Sequence, residues 1–200
     1  MKPNHNLNRA IFALAGLLAG AALPLPAQNL IVNGSFSDGT FGSWNTSSAD
    51  GSLTVDNAGN IGIYATGLPD ASSANYALFT PSTDTSSLDQ SFATLVGTTY
   101  DITFWVNDSY GNSSLVVDAN TQNLLTVAPG QSTSSAGNGG WQEVEFFYTA
   151  TSPTTDLSFV GNTGSFLGVD AISVVPEPGT LTLVGLGAAA LVLVRRARRQ

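Results

Sequence analysis

Two stretches of the chain place a tryptophan among polar side chains at every second position. Trp105 lies between Asp101 and Asn107, and Trp141 is followed by Glu143. In a β-strand, residues two apart project to the same side, so each set would form one strip of a sheet. Sugars present apolar C–H faces and many hydroxyl groups, and a flat ring beside carboxylate or amide groups suits both. We therefore predict that Trp105, Asp101, Asn107, Trp141 and Glu143 bind carbohydrate if the two strands lie in one sheet.

The same aromatic residues have a second interpretation. A β-sandwich buries aromatic rings between its sheets, and a reversed face assignment would place both tryptophans in that core. Trp44 and Tyr110 are weaker candidates for a ligand site, because each is better explained by packing or by a loop position.

The strand that follows Trp141 also carries two carboxylates on one side. Glycoside hydrolysis needs a pair of carboxylates about 5–5.5 Å or about 6.5–9.5 Å apart. Glu143 and Glu145 would be roughly 6–7 Å apart along a strand, but every alternating strand gives that spacing. A solvated strand face explains the pair, so we predict no catalytic residue and no enzymatic activity.

The distribution of charge excludes several functions. All six Lys and Arg residues and the single histidine, His5, lie in the terminal segments, whereas thirteen of the fourteen Asp and Glu residues lie between positions 28 and 176. The body therefore has no histidine base for a Ser-His-Asp site and no His or Cys for zinc. It has no cation to hold phosphate, so we predict no nucleic-acid partner. A neutral polysaccharide fits this charge better than an anionic one.

The carboxylates of the body have no basic partner for a salt bridge. A buried one must be protonated, hydrogen-bonded to N–H groups, or bound to a metal. Oxygen-rich sites favour calcium. Most of the thirteen are surface charges that maintain solubility, and we expect that the others hold one structural Ca²⁺ ion.

The elements that would position these residues are strands. Short runs rich in Val, Ile, Thr and aromatic residues alternate with Gly, Asn, Ser and Asp clusters, and no stretch of the body keeps a helical period. About ten strands in about 148 residues predict an all-β fold, a sandwich of two antiparallel sheets. The expected strands include residues 29–33, 52–56, 61–65, 100–107, 114–118, 122–127, 141–148, 157–159 and 167–174.

The start of the chain, at positions 1–27, has the layout of a secretory signal peptide. Lys2 and Arg9 precede an apolar stretch at residues 11–23, and small residues follow near Ala27. Cleavage after Ala27 would remove residues 1–27, and Ala22, with Gly20 two positions before it, is the alternative site. In both cases we expect residues 28–175 to form the exported domain. The chain has no cysteine, so no disulfide supports that domain.

The end of the chain resembles the sorting tail of PEP-CTERM proteins. Pro176, Glu177 and Pro178 lead into an apolar segment at residues 179–194, and four arginines follow at positions 195, 196, 198 and 199. As a helix this segment covers ~24 Å, a marginal transmembrane length suited to a temporary anchor. The resemblance implies processing by an exosortase, an inner-membrane-anchored precursor, and a final place at the cell surface or outside, often in cells that make exopolysaccharide. Residues 176–200 thus form the predicted sorting tail.

The body is similar to jelly-roll carbohydrate-binding modules and galactose-binding-like domains. The similar stretches are residues 29–39 with Trp44 close behind, residues 89–92, 96–100 and 140–141, and residues 169–174. This resemblance implies a jelly roll and a structural calcium shared by a carboxylate of the opening motif and one of the last strand. Asp170 matches the second position. The first departs from the pattern, because Ser37 stands where an acid is usual and Asp38 follows it.

Two classes of function remain open. The first is a surface or matrix module that binds neutral polysaccharide, and the second is a structural or adhesive envelope or biofilm protein without a specific ligand. An exposed aromatic pair on one face would favour the first, and its absence the second.

Overall fold

A computed structural model describes residues 28–48, 50–57, 74–108, 110–130, 140–177 and Arg196. Ten strands form from these residues, and residues 28–176 make one compact unit. The strands are β1 (Asn45–Ser47), β2 (Leu53–Asn57), β3 (Asn75–Phe79), β4 (Ser86–Ala93), β5 (Thr99–Asp108), β6 (Ser113–Ala119), β7 (Gln122–Val127), β8 (Gln142–Thr149), β9 (Thr154–Thr163) and β10 (Leu167–Pro176).

The strands pair into two antiparallel five-stranded sheets. One sheet has the order β1-β4-β9-β6-β7, and the other, which we call the β10 sheet, has the order β2-β3-β10-β5-β8. Residues from both sheets form one buried apolar cluster, so the sheets pack face to face. The predicted all-β sandwich is confirmed.

The core follows from the alternation of apolar residues along the strands. Tyr100, Ile102 and Phe104 of β5 are at most 3% exposed. The Phe104 ring meets the ring of Phe159, on β9 of the facing sheet, at a centroid distance of 5.2 Å and almost at right angles. Burying one such side chain contributes about 1.5–3 kcal/mol. The predicted core face of β5 is therefore the face that the structure buries.

The opening segment differs from the prediction, since residues 29–33 are not a strand. The Asn29 side chain accepts the N–H groups of Ile31 (3.0 Å) and Val174 (2.9 Å), and thus replaces part of a strand ladder. Asn33 has a positive φ of 55°, which interrupts the extended backbone that a strand requires. The predicted strand at residues 61–65 lies outside the described residues.

Strand β10 contains a bulge that changes which side of the sheet its residues face. The register against β5 shifts between Asp170 and Ser173, and Ala171 within the bulge has φ 51°. Asp170 lies opposite Trp105, whereas Ile172 is buried in the core between the sheets. The bulge thus keeps an acid on one side of the strand and an isoleucine on the other.

The predicted signal peptide at residues 1–27 and the apolar segment at residues 179–194 lie outside the described part of the chain. Within that described part, the structure contains no helix with the length and apolar character needed to cross a membrane.

Candidate functional site

The two predicted strips of polar and aromatic residues lie on neighbouring strands. β5 pairs with β8, and Trp105 is directly opposite Glu143. Trp105 is also opposite Asp170 on β10, its other neighbour. These residues lie on the side of the β10 sheet that faces away from the other sheet, which we call the outer face. The structure thus brings Trp105, Glu143 and Asp170 into one row across three strands.

A second apolar cluster surrounds Trp105 on the outer face. Tyr76, Leu78 and Trp141 form its buried part, and Trp105 and Phe166 pack against it while partly buried. Tyr76 and Trp141 meet edge to face with ring centroids 5.6 Å apart. This cluster is separate from the core between the sheets, so the outer face has its own aromatic packing.

Trp141 is buried, whereas the sequence pattern predicts that it faces solvent. Only 1% of the residue is exposed, because it packs against Tyr76 and Leu78. Its indole Nε1–H is buried and has no hydrogen-bond partner among the described residues. Asn107 is also fully buried, although it was predicted to stand beside Trp105 at the surface.

The accessible part of the predicted site is therefore smaller than the sequence pattern indicates. Glu143 is exposed, whereas Trp105 and Asp101 are half-buried. One carboxylate oxygen of Asp101, Oδ1, is buried without a hydrogen-bond donor in the described part of the chain. Sequence reasoning missed Tyr76 and Leu78, although the alternation of β3 places them opposite the buried Ala77 and Phe79.

The β2–β3 side of the outer face is fixed by one hydrogen bond. The hydroxyl of Tyr76 donates to Oδ2 of Asp56 at 3.2 Å. Burial, and then the charge of Asp56, raise the pKa of Tyr76 far above its usual range. The phenol therefore stays protonated and keeps donating to the carboxylate.

The two predicted calcium ligands have different surroundings. Asp38 is exposed, and its Oδ1 accepts the Thr40 N–H (2.8 Å) and the Asn33 side-chain amide (2.9 Å). The Thr40 N–H is the main reason that the pKa of Asp38 is lowered. Asp170 is fully buried, and its Oδ1 accepts the Ala171 N–H at 2.7 Å. Among the described residues no three His, Asp or Glu side chains lie close enough together to hold a metal, so calcium at these positions stays a prediction.

The sorting residues begin inside the fold. Pro176 is the last residue of β10 and lies opposite Tyr100 of β5. Glu177 follows directly and is exposed, and Pro178 lies beyond the described residues.

Comparison with known proteins identifies the tail. Residues 174–199 match the PEP-CTERM protein-sorting motif, so the chain carries the sorting signal of an exported, membrane-anchored precursor that is sorted to the cell surface. No curated protein sequence matches the chain.

Solved structures show the fold of the body. TmCBM61, solved in complex with beta-1,4-galactotriose, is 14% identical with a TM-score of 0.59, and the match covers 75% of this chain and 99% of that one. The CBM22-1 xylan-binding domain from Paenibacillus barcinonensis is 15% identical with a TM-score of 0.51, covering 78% and 99%. The enzymatically active domain of tailspike protein 4 from bacteriophage CBA120 is 11% identical with a TM-score of 0.53, covering 74% and 21%. The body thus has the jelly-roll fold of carbohydrate-binding modules, a fold that also occurs within enzymes.

Proposed function

We propose that the protein is an exported cell-surface or matrix protein whose sandwich binds neutral polysaccharide without catalysis. The accessible pair of Trp105 and Glu143, opposite each other on the outer face, supports this proposal best. Trp105 offers part of an aromatic ring for the apolar side of a sugar, and the exposed carboxylate opposite it can accept hydrogen bonds from hydroxyl groups.

The charge of the domain supports a neutral ligand. Residues 28–176 carry thirteen carboxylates and no Lys, Arg or His. An anionic polymer would approach a surface of its own sign with no cation to offset the repulsion. A neutral glycan meets no such cost.

The sorting motif supports the route to the surface. We propose export by a signal peptide at residues 1–27, a temporary transmembrane anchor at residues 179–194, and processing by an exosortase near Pro176, Glu177 and Pro178. The intact mass of the protein from its native host tests this route. A mature species that still carries the arginines at positions 195, 196, 198 and 199 would contradict it.

Titration of residues 28–176 with a panel of neutral and anionic polysaccharides, followed by tryptophan fluorescence, tests the binding function. We expect a saturable change with one neutral polymer and a loss of affinity of about tenfold or more, about 1.4 kcal/mol, on Trp105→Ala. Tyr110→Ala is the matched control, because Tyr110 is 64% exposed and lies outside β5, two residues after the last residue of that strand. Equal losses in both variants would contradict a site at Trp105.

A structural or adhesive envelope protein without a specific ligand is the second candidate. The burial of Trp141 and Asn107 favours it, because two of the five expected contacts are not at the surface. No response to any polysaccharide, including the matrix polymer of the host, would support this candidate.

A further inference from the structure

Both ends of the folded domain emerge on the same side of the sandwich. Pro176 ends β10 opposite Tyr100, near the start of β5. At the other end of the domain, the Leu30 N–H donates to the Val174 carbonyl at 2.8 Å. The first residues of the domain are therefore bonded to its last strand, close to the point where the tail leaves.

Two turns lie at this end of the sandwich, which we call the tail pole. Residues 94–98 connect β4 to β5, and residues 150–153 connect β8 to β9. Backbone hydrogen bonds join the turns, from Gly97 N–H to Ala150 O (2.8 Å) and from Thr94 N–H to Pro153 O (2.9 Å). The tail pole is thus a rigid surface of two linked turns beside the exit of the sorting tail.

The tail pole exposes apolar side chains. Leu95 is 72% exposed and Val96 is 59% exposed, at the tip of the first turn. Phe147, 58% exposed, lies on β8 opposite Asp101, whose partner on β10 is Val175. Neither turn contains an ionisable residue. Of the five large apolar side chains that are exposed in the described part of the chain, these three lie at the tail pole.

The length of the sorting tail limits the distance between this pole and the membrane. The apolar segment predicted for the anchor begins three residues after Pro176, and three extended residues span at most about 10 Å. β10 cannot supply more length unless its pairing with β5 breaks. In the membrane-anchored precursor that the sorting motif indicates, the tail pole therefore has to remain near the lipid headgroups.

We propose that Leu95, Val96 and Phe147 form a lipid-contacting surface that docks the domain on the membrane while the precursor is anchored. Apolar side chains on an uncharged turn can enter the boundary between headgroups and acyl chains. Three side chains bind weakly by themselves, but the short tether makes the contact intramolecular and raises the effective concentration of lipid. Cleavage of the tail removes the tether, so the domain leaves the lipid when it is processed.

The absence of native cysteine allows a direct test with single labels on the full chain, reconstituted in vesicles of neutral and anionic phospholipid. Leu95→Cys carries an environment-sensitive fluorophore at the tail pole, and Tyr110→Cys carries it at the opposite pole. We expect blue-shifted emission at position 95 and quenching by lipids with a headgroup nitroxide, with neither effect at position 110. Equal water exposure of the two labels would overturn the proposal.

A second variant tests the role of the apolar side chains without a label on them. Leu95→Glu combined with Val96→Glu, with the fluorophore on Thr151→Cys in the neighbouring turn, should reduce quenching well below that of the same label in the protein with Leu95 and Val96 intact. Both residues are well exposed, so the fold should persist, which the near-ultraviolet circular dichroism checks. Undiminished quenching in this variant would overturn the proposal. Quenching at position 95 that appears only after the processing enzyme is added would overturn it as well. Trp105→Ala should leave quenching unchanged, which separates this result from glycan binding.

Discussion

Individual carboxylates in this domain are stabilised by hydroxyl and N–H donors, and not by salt bridges to Lys or Arg side chains as in many other proteins. Asp50 accepts the Ser82 hydroxyl at 2.6 Å and the Ser52 N–H at 3.1 Å. The buried Asp108 accepts the N–H groups of Ser113 and Gly130 through Oδ2. The sequence predicts that salt bridges are absent from the body. It does not identify the donors, because Ser82 is distant from Asp50 along the chain and only the fold joins them.

The hydrogen bonds of Asp50 predict a pH dependence. The Ser82 hydroxyl is the main cause that lowers the pKa of Asp50 from its usual 3.8. A group with a lowered pKa in the folded state stabilises the protein above its unfolded pKa, and this contribution is lost as the pH falls through the folded value. Urea unfolding should show Asp50→Asn less stable than the original at about pH 6, with the difference gone at about pH 2.

Ser82→Ala is the partner variant for this prediction. It removes the donor and keeps the carboxylate, so it should also reduce the stability near neutral pH and reduce the loss on acidification. A difference between Asp50→Asn and the original protein that stays constant from pH 6 to about pH 2 would show that the carboxylate charge contributes nothing.

The aromatic residues of the outer face show where prediction from the sequence ends. Alternation along β5 correctly places Trp105 on the side away from Phe104. It cannot reveal that Trp141 is buried, because that depends on Tyr76 and Leu78, which belong to β3 and come much earlier in the chain. Local periodicity determines the side of a sheet, whereas exposure depends on what the rest of the chain packs there.

At the level of elements, strong alternation made the central strands predictable. β5, β8 and the β6–β7 hairpin lie within a residue or two of their predicted limits. The three residues of β1, Asn45–Ser47, are polar and exposed, so no hydrophobic pattern marks them. The opening segment has the composition of a strand, but Asn29 and Asn33 use side-chain bonds and a positive φ in place of a ladder.

The attachment of the opening segment to β10 depends on Gly34. The Ile172 N–H donates to the Gly34 carbonyl at 3.0 Å, and a Cβ on residue 34 would collide with the Ile172 carbonyl oxygen. A backbone atom of a central strand cannot move aside, so Gly34→Ala should destabilise the domain by ~1–3 kcal/mol in chemical unfolding.

Gly51→Ala separates this collision from the conformational cost of replacing a glycine. Gly51 has φ 73° and open space around it, so alanine there should cost about 1–2 kcal/mol from strain alone. Gly34 does not have a positive φ. The loss of stability in Gly34→Ala would therefore come from the collision and from the weakened hydrogen bond to Ile172. A Gly34→Ala variant as stable as the original would show that the opening segment can separate from β10 without cost.

At the scale of the whole molecule, the domain and the sorting tail share one strand. The motif match begins at position 174, within β10, so the sorting signal includes residues that are paired with β5. The sequence predicts the sandwich and the tail as separate segments. That the first residues of the motif are paired within the last strand, and that the apolar β4–β5 turn lies beside the junction, follows only from the register of β10 and the position of that turn.

The uniform charge of residues 28–176 predicts an unusual response to salt. All ionisable side chains of this domain that are charged at neutral pH are negative, so the forces between them are repulsive and favour unfolding. Salt shortens the Debye length from about 30 Å at 0.01 M to about 8 Å at 0.15 M and weakens the repulsion. Calorimetry should therefore show a Tm that rises with NaCl over this range. The same measurement in CaCl₂ and in MgCl₂ at equal ionic strength separates charge screening from specific binding of calcium. A Tm that rises further in CaCl₂ than in MgCl₂, with this difference lost in Asp170→Asn, would support the predicted calcium site. A Tm that falls with NaCl would mean that attractive charge pairs stabilise the domain, which contradicts the distribution of its charges.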